Sequence, residues 1–348
     1  MAFSEKNLKN LLSLALENNA TDIHIREDET PCLRIRGDLV NIQTKNFEKG
    51  DILDLYKIFT NSEYQSDSNE IDGSFEIDGI CRIRYHFFKF VEKTGIAIRI
   101  INLKVPTFKD LNLPSKMEHI AEKKSGLTLI TGPTGSGKSS TLASMVNHIN
   151  INHSKHIITI EDPIEYLHKA KKSRISQREL RLDTQNYFSG LKSALRQDPD
   201  IIMIGEMRDT ETIDTALKAA ETGHHVLATL HTSNALSTIH RISSMFGPHE
   251  LESINARLAE SLNAILAQRM VPDLNGKRMI PVQEILMNGP GIQECILGKE
   301  DLGRINKIIE EGEIGTDSLS QSFDHALIRL YEKGRISKET AINFSDHP

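Results

Sequence analysis

Cysteine is scarce in this sequence. The 348 residues include three cysteines, Cys32, Cys81 and Cys295, which lie far apart along the chain. No C-x-x-C pair occurs, so the sequence predicts neither a zinc module nor a disulfide framework. A reducing, cytoplasmic compartment is the simplest interpretation of this cysteine usage.

Long apolar runs are also missing. No run approaches the roughly 20 residues that a membrane-spanning helix requires. The N-terminal stretch MAFSEKNLKN lacks the apolar core of a signal peptide. We therefore expect no direct insertion into a membrane, and work at a membrane would need recruitment by another protein.

No long block of like charge is present. The chain has 42 basic and 48 acidic residues, which gives a formal net charge of −6. A mildly acidic chain without a basic tail is a poor candidate for wrapping nucleic acid, so no nucleic-acid partner is expected. Internal repeats and low-complexity segments are absent as well, and the length allows two domains with cores of their own.

Residues 1–103 predict a small mixed α+β domain. Leucines at helical spacing and short alternating apolar runs are its main signals. An Asp78-Gly79 pair between two such runs favours a tight hairpin turn, and we expect Thr94-Gly95 to separate the next two strands. Helices are expected over 7–18 and 51–60, and strands over 22–25, 33–35, 74–77, 80–90 and 96–101.

A linker is expected over 104–116, where Pro106 and Pro114 interrupt any regular periodicity. From residue 117 to 348 the pattern alternates between apolar strands and helices, which predicts a doubly wound α/β domain that binds a nucleotide. Strands are expected over 127–130, 157–160, 201–204, 226–230 and 281–286, and helices over 141–149, 211–222, 253–270, 305–311 and 320–333.

The strongest motif is GPTGSGKSS, which has the spacing of a P-loop and lies between a predicted strand and a predicted helix. Its glycines let backbone N–H groups turn inward around phosphates, and the helix N-terminus adds partial positive charge. Lys138 would reach the β- and γ-phosphates, and the Ser139 hydroxyl would bind Mg²⁺. The predicted nucleotide-binding residues of the loop are Gly132, Pro133, Thr134, Gly135, Ser136, Gly137, Lys138, Ser139 and Ser140.

Two acidic segments follow predicted strands. In DPDIIMIGEMRD the strand 201–204 is followed by Gly205 and Glu206, where a P-loop ATPase places its water-activating carboxylate. Gly205 stands where an Asp usually helps to hold Mg²⁺. In TIEDPIE, Glu161 and Asp162 end another strand, and they could orient the attacking water or complete the Mg²⁺ shell. A capping acid at 206 and a simple turn at Asp162-Pro163 are the competing interpretations.

The segment TGHHVLATLHT places His224 at the start of a predicted strand and His231 at its end. A histidine at a strand end can contact a γ-phosphate and respond to its loss. The competing interpretation for either residue is a hydrogen-bonded structural histidine.

Arginines could complete the site from a neighbouring subunit, where they would stabilise transition-state charge. Arg82 and Arg84 alternate along one predicted strand and therefore face the same side. Arg178, Arg208 and Arg241 lie in the C-terminal domain. For each of these arginines an ordinary ion pair is the competing interpretation.

These motifs, in this order and at these distances, resemble those of the type II/IV secretion ATPase superfamily, and most of all its PilT-type pilus retraction ATPases. GPTGSGKSS corresponds to the Walker A motif, TIEDPIEY to the Asp box, DPDIIMIGEMRD to a Walker B variant with glycine before the glutamate, and TGHHVLATLHT to the His box. The resemblance covers nearly the whole chain. By this resemblance we expect neither the N-terminal extension nor the tetracysteine zinc module of extension and type II secretion ATPases.

The resemblance implies an N-terminal PAS-like α+β domain followed by a RecA-like P-loop ATPase domain with C-terminal helices. It also implies a homohexamer that hydrolyses ATP with Mg²⁺ and acts on an inner-membrane pilus platform protein, beside a possible paralogous ATPase, at the inner face of the cytoplasmic membrane. In these terms Glu206 is the catalytic glutamate, Glu161 assists it and contributes with Ser139 to the metal site, and His231 and His224 couple nucleotide state to movement. Arg82, Arg84 and Arg99 would reach the phosphates.

Two departures bear on retraction. Such ATPases have the segment AIRNLIRE in the C-terminal domain, and the corresponding residues 291–298 of this chain read GIQECILG. In addition, Glu92 replaces an arginine of the family. A PilU-like accessory retraction ATPase, or one from a divergent pilus system, fits the sequence equally well. The sequence also leaves open an ATPase for pilus extension or type II secretion, a P-loop small-molecule kinase, and an ATP-binding regulator that does not hydrolyse ATP.

Overall fold

The computed structural model describes residues 3–18, 20–35, 37–62, 70–77, 80–101, 104–276, 278–312 and 320–347. The chain forms two compact units, Met1–Lys104 and Val105–Pro348. The turn expected at Asp78-Gly79 lies outside the described residues.

An antiparallel sheet with helices packed on one face forms the first unit. The strand order is β3-β2-β1-β6-β5-β4. Leucines at helical spacing, such as Leu8 and Leu12, are buried against the inward-facing residues Ile23 and Ile98. The elements are α1 (Glu5–Glu17), β1 (Asp22–Arg26), β2 (Cys32–Ile35), β3 (Asp38–Asn41), α2 (Lys49–Thr60), β4 (Glu70–Ile77), β5 (Cys81–Phe90) and β6 (Lys93–Ile101).

The boundary expected at Thr94-Gly95 is wrong, because both residues lie inside β6. The chain reverses at Val91 and Glu92, and Phe90 pairs directly with Lys93. Val91 and Glu92 both have positive φ, of 42° and 63°. A two-residue hairpin turn needs this left-handed backbone, and glycine or asparagine usually provides it, so a Val-Glu pair carries no turn signal.

A seven-stranded mixed sheet forms the centre of the second unit, with the order β13-β12-β7-β11-β10-β8-β9. All its paired strands are parallel except the edge strand β13, which runs antiparallel to β12. The elements are α3 (Lys116–Ala121), β7 (Gly126–Thr131), α4 (Lys138–Asn152), β8 (His156–Glu161), β9 (Arg174–Glu179), α5 (Tyr187–Ala194), β10 (Ile201–Ile204), α6 (Thr210–Glu221), β11 (His225–Leu230), α7 (Ala235–Ser244), α8 (Pro248–Ser261), β12 (Leu262–Pro272), β13 (Met279–Met287), α9 (Pro290–Ile296), α10 (Arg304–Glu311), α11 (Phe323–Glu332) and α12 (Lys338–Phe344).

Helices cover both faces of this sheet. Residues of α3 and α4 pack in one apolar cluster, and residues of α5, α6, α7 and α8 pack in another. The central strands β7, β10 and β11 therefore have almost no exposed side chains, as their continuous apolar runs predict. The carboxyl ends of the parallel strands meet at one edge of the sheet, which is where loops can build a site.

The helix expected over 253–270 is wrong in its second half. The helix α8 ends at Ser261, and Leu262 begins β12. Ile265 pairs with Leu129 of β7 on one side and with Leu286 of β13 on the other. A strand buried on both faces can place apolar residues at helical spacing by chance, so periodicity does not separate the two structures.

Part of the segment expected as a linker packs on the second unit. The ring of Phe108 lies 5.1 Å from the ring of His148, and the Arg335 guanidinium donates a hydrogen bond of 2.8 Å to the Asn112 side chain. Among the helices in the described ranges, none combines the length and the apolar character that crossing a bilayer would take.

Candidate active site

The P-loop connects β7 to α4 and leaves no room for a side chain at its first glycine. Gly132 has φ 143°, and a Cβ there would lie 2.3 Å from the carbonyl oxygen of Gln268. Gly137, also left-handed, precedes the first turn of α4. The loop backbone can therefore fold tightly around an anion at a helix N-terminus.

Lys138 lies within the curve of this loop. Its Nζ atom donates hydrogen bonds to the carbonyl oxygens of Gly132, at 2.8 Å, and Pro133, at 3.0 Å. Burial lowers the pKa of the Lys138 ammonium, and the carboxylates of Glu206 and Glu165 act in the opposite direction. The loop thus holds a positive charge where phosphate oxygens would lie.

Gln268 of β12 supports the loop from behind, a role that sequence reasoning missed. Its Nε2 atom donates to the carbonyl of Ser136. Its Oε1 atom accepts from Thr141, at 2.8 Å, and from Gln283, at 2.9 Å. No motif marks this residue, and its segment was expected to be helical, so a single sequence offers no signal for it.

Gly205 brings Glu206 close to the neighbouring strand. Its N–H donates to the carbonyl of Ile160 at 2.8 Å, and its carbonyl accepts from the Thr229 hydroxyl. A Cβ at Gly205 would lie 3.0 Å from the Tyr187 hydroxyl and 3.2 Å from the Ile160 carbonyl. The close approach of three elements accounts for glycine at this position.

Glu206 is held from two sides. Its Oε2 atom lies 2.7 Å from a guanidinium nitrogen of Arg208, and its Oε1 atom lies 3.3 Å from Nε2 of His231. The side chain is 17% exposed. A carboxylate fixed in this way, with partial access to solvent, can orient a water molecule and accept its proton.

Glu161 ends β8 and is almost completely buried. The Thr159 hydroxyl donates to its Oε1 atom at 2.6 Å, and the Gln177 amide donates at 3.0 Å. Burial raises the pKa of the Glu161 carboxyl to about 7, although these hydrogen bonds oppose the shift. The group can therefore change its protonation near neutral pH, and a nearby cation would favour the ionised form.

Glu161, Glu206, His231 and six of the nine predicted P-loop residues, among them Ser139, line one cleft of about 460 Å³ at the carboxyl edge of the sheet. The Ser139 hydroxyl and the two carboxylates are oxygen ligands of the kind that Mg²⁺ prefers, so the residues present fit a nucleotide with Mg²⁺. The lining also includes Thr134, Gly135, Gly137, Lys138, Ser140, Leu142, Ala143, Asp162, Pro163, Glu165, Tyr166, His168, Tyr187, Met203, Gly205, Arg208 and Thr229.

Several contacts around the cleft were not expected. The hydroxyls of Ser140 and Tyr166 lie 2.8 Å apart, which ties the end of the loop to the segment after β8. Asp162 pairs with Arg181 at 3.1 Å, and it precedes a cis peptide bond to Pro163. Arg208 forms an ion pair, but its partner is Glu206 itself.

Three predicted loop residues, Gly132, Pro133 and Ser136, do not line the cleft itself. Nor do four further predicted residues: His224, Arg82, Arg84 and Arg99. His224 precedes β11, at the opposite edge of the sheet from the cleft, and its ring bonds to the carbonyl of Ala219 at 2.9 Å. Arg82, Arg84 and Arg99 belong to the first unit. Arg84 pairs with Arg99 across β5 and β6, Arg82 donates to the Ser74 hydroxyl at 2.8 Å, and Arg99 pairs with Asp22 at 2.9 Å.

The structure places both departures from the expected pattern, Glu92 and the segment 291–298, within described elements or turns. Glu92 occupies the hairpin turn before β6. The segment 291–298 begins in α9, where Ile292 and Ile296 are buried in the apolar cluster beneath the sheet. Its apolar positions are thus used for packing.

Comparisons with known proteins show the family of this chain and a similar solved structure. Residues 1–311 match the family model described as type II/IV secretion system protein. The chain is 38% identical to the type IV pilus retraction ATPase PilT of Pseudomonas aeruginosa, over 95% of this chain and 96% of that protein. It is 34% identical to the type IV pilus ATPase PilU of the same organism, over 97% and 88%. A crystal structure of the pilus retraction motor PilT with bound ADP superposes with a TM-score of 0.87 at 36% identity, covering 98% of this chain and 97% of that one.

Proposed function

Because the chain belongs to the family of type II/IV secretion system proteins, we propose that it is an ATPase that powers the retraction of a type IV pilus. The observation that carries this proposal is the position of Glu206. It follows β10 and lines the same cleft as the P-loop residues Lys138 and Ser139. A fixed carboxylate facing a phosphate cradle supports hydrolysis by an activated water molecule.

Each residue then has a role in the reaction. The backbone N–H groups of the loop and the Lys138 ammonium bind the β- and γ-phosphates. Ser139 and Glu161 would hold Mg²⁺, which when bound would neutralise charge on the phosphate oxygens. Glu206 orients the attacking water and accepts its proton. His231 keeps Glu206 in place and responds to loss of the γ-phosphate.

The proposal extends to the assembly. We propose that the first unit is a PAS-like domain, residues 1–103, that residues 104–116 link it to a RecA-like domain, and that six copies form a ring. Arg82, Arg84 and Arg99 would complete a site with the phosphate cradle of a RecA-like domain. His224 faces away from its own cleft, so it would couple nucleotide state to movement through contacts outside that cleft.

The work of such a ring needs a partner at the membrane. We propose that the protein acts at the inner face of the cytoplasmic membrane on an inner-membrane platform protein of the pilus. Successive opening and closing of the subunits would pass movement to that protein. Similarity to both PilT and PilU supports either a retraction motor or an accessory ATPase that works beside a paralogue.

Deleting the gene tests the direction of the motor. A retraction motor predicts loss of twitching motility together with an excess of surface pili. Loss of the pili themselves would overturn retraction and favour extension or secretion. Complementation with the wild-type gene and with a Lys138→Ala variant separates the effect of the motor from effects on neighbouring genes.

Two other classes of function are separated by chemistry. Purified protein that releases phosphate from ATP without any acceptor would exclude a small-molecule kinase. A regulator that binds ATP without hydrolysing it would show the same negligible phosphate release with wild-type protein and with Glu206→Gln. The proposal requires a measurable wild-type rate that depends on Glu206.

A further inference from the structure

Two histidines and a glutamate meet where α3 and α4 end, away from the cleft. Glu122 is the residue that caps the C-terminus of α3, and His153 caps α4. His148 lies in the last turns of α4, ten residues beyond Lys138, which is about 15 Å along the helix axis. The proposed ATPase function uses none of these three side chains.

The three side chains converge on one point. The Nε2 atom of His148 lies 3.0 Å from Oε1 of Glu122, and the Nε2 atom of His153 lies 3.3 Å from the same oxygen. The potential ligand atoms all lie within 4.8 Å of one another. In a tetrahedral zinc site with bonds near 2.0 Å, neighbouring ligand atoms are about 3.3 Å apart, so small rotations bring the cluster to that geometry.

The backbone beneath the cluster is well supported. The N–H of Glu122 donates to the carbonyl of Glu118 at 3.0 Å, and the N–H of His153 donates to the carbonyl of Ile149 at 2.8 Å. The helices α3 and α4 share a buried apolar contact. The ring of Phe108 lies against that of His148. The backbone that carries the three ligands would therefore need little ordering when an ion binds.

We propose that Glu122, His148 and His153 bind one divalent ion of the zinc type. Two neutral imidazoles and one carboxylate form a ligand set that suits Zn²⁺, and Mg²⁺ and Ca²⁺ prefer oxygen ligands throughout. The side chains of Glu122 and His153 are 45% and 40% exposed, which leaves a path for the ion and a fourth position for water. Coordination through Nε2 requires that each ring carry its proton on Nδ1. The Asn152 amide, whose nitrogen lies 3.3 Å from Nδ1 of His148, would then have to turn its oxygen toward that ring.

The ion would join the ends of two helices. One of them, α4, begins at the P-loop, and the other, α3, follows the segment that contains Phe108. A metal bound there stabilises the folded second unit, because the same ligands are far apart in the unfolded chain. The competing explanation is that two histidines share a carboxylate through hydrogen bonds and bind no metal.

Measurements of zinc and cobalt binding distinguish the two explanations. They use the full-length protein, from which a chelator has removed metal and which contains no nucleotide. We expect one high-affinity Zn²⁺ per chain, and a Co²⁺ complex with the intense visible absorption of a four-coordinate site. His153→Gln, at an exposed cap, should weaken Zn²⁺ binding by about 100-fold or more, because a two-ligand remnant lacks a complete inner shell. His148→Gln should do the same.

His119→Gln is the matched control, because His119 is an exposed histidine of α3 outside the cluster. It should keep wild-type affinity. Zn²⁺ should raise the Tm of the wild type and of this control by roughly 5 °C at saturating metal, with no such rise in His153→Gln. Equal Zn²⁺ affinity in the wild type and His153→Gln would overturn the proposal, as would weak binding to all the proteins. Neither result bears on ATP hydrolysis, since nucleotide is absent.

Discussion

The Nε2 atom of His231 lies 3.3 Å from the Oε1 atom of Glu206, and the two residues follow β11 and β10, which are neighbouring parallel strands. The register pairs Ile204, the last residue of β10, with Ala228, and β11 continues for two more residues to Leu230. Glu206, two residues beyond β10, therefore comes level with the end of β11 and close to His231. Arg208 holds the other carboxylate oxygen. Glu206 is thus oriented by two side chains before any substrate contact, which is the arrangement that catalysis by a positioned base needs.

Glu206→Gln should lower the rate of phosphate release from ATP by about 100-fold or more, because an amide cannot accept the proton of the attacking water. Nucleotide affinity should change little, since the P-loop is intact. Steady-state phosphate release and binding of a fluorescent ATP analogue measure the two effects. Glu211→Gln, an exposed acid in the first turn of α6, serves as the control. An unchanged rate in Glu206→Gln would contradict the proposed role.

Gln268→Ala should weaken ATP binding although Gln268 does not line the nucleotide cleft. The substitution leaves the Ser136 carbonyl and the buried Thr141 hydroxyl without their partner, at a cost of about 1–3 kcal/mol in the free energy of unfolding. Gln197→Ala, at an exposed glutamine, should affect neither property. Urea unfolding and ATP titration check the two effects. Normal ATP affinity in Gln268→Ala would show that the loop keeps its shape without this support.

Glu161 should make folding stability depend on pH near neutrality. Its folded pKa of about 7 lies above the ordinary value of 4.5, so the protonated carboxyl favours the folded state. This contribution is complete below about pH 4.5 and is lost as the pH rises through 7, a change of about 3 kcal/mol. A Glu161→Gln variant, whose amide does not titrate, lacks this pH-dependent contribution to stability.

The measurement is the difference in unfolding free energy between the wild type and Glu161→Gln, from pH 4.5 to 7.5, without nucleotide or Mg²⁺. The wild type should lose stability relative to the variant as the pH rises. The difference cancels other titrations, including those of buried His168 and His225, whose lowered pKa values of about 4 act in the opposite sense. A difference that does not vary with pH would contradict an ordinary acid–base transition at Glu161.

Arg84→Ala should stop or strongly slow ATP hydrolysis while ATP still binds to the P-loop. The reason is the proposed supply of positive charge to the phosphates by the first unit. Phosphate release and ATP affinity separate the two effects. Arg26→Ala, on the same sheet, is the control. Full hydrolysis by Arg84→Ala would remove this arginine from the proposed site.

The sequence predicted those parts of the fold whose signals are local. The strands β7, β8, β10 and β11 were expected because continuous apolar runs end at turn residues, and the P-loop because its spacing is specific. The strand β12 was not expected, since Leu262, Ile265 and Leu266 also fit a helix. Its true neighbours, β7 and β13, are set by contacts between residues distant in the sequence.

The candidate site divides in the same way. Glu161, Glu206 and His231 were predicted as site residues because each has an ionisable side chain at the end of a strand or just after it. Gln268 was missed because a neutral amide gives no such signal, and no pattern paired Arg208 with Glu206. Sheet order and register place His224 at the far edge of its sheet and pair Arg84 with Arg99. A single sequence determines neither the order nor the register.

The hydrogen bonds from Lys138 to the carbonyls of Gly132 and Pro133 have a thermodynamic consequence. Two of the three N–H donors of the Lys138 ammonium are engaged by loop oxygens, so a phosphate that takes either of them displaces a carbonyl. Binding is therefore an exchange of partners, and its net free energy is smaller than that of the new contacts. In the proposed ATPase, this exchange would lower the affinity for the product and so favour its release.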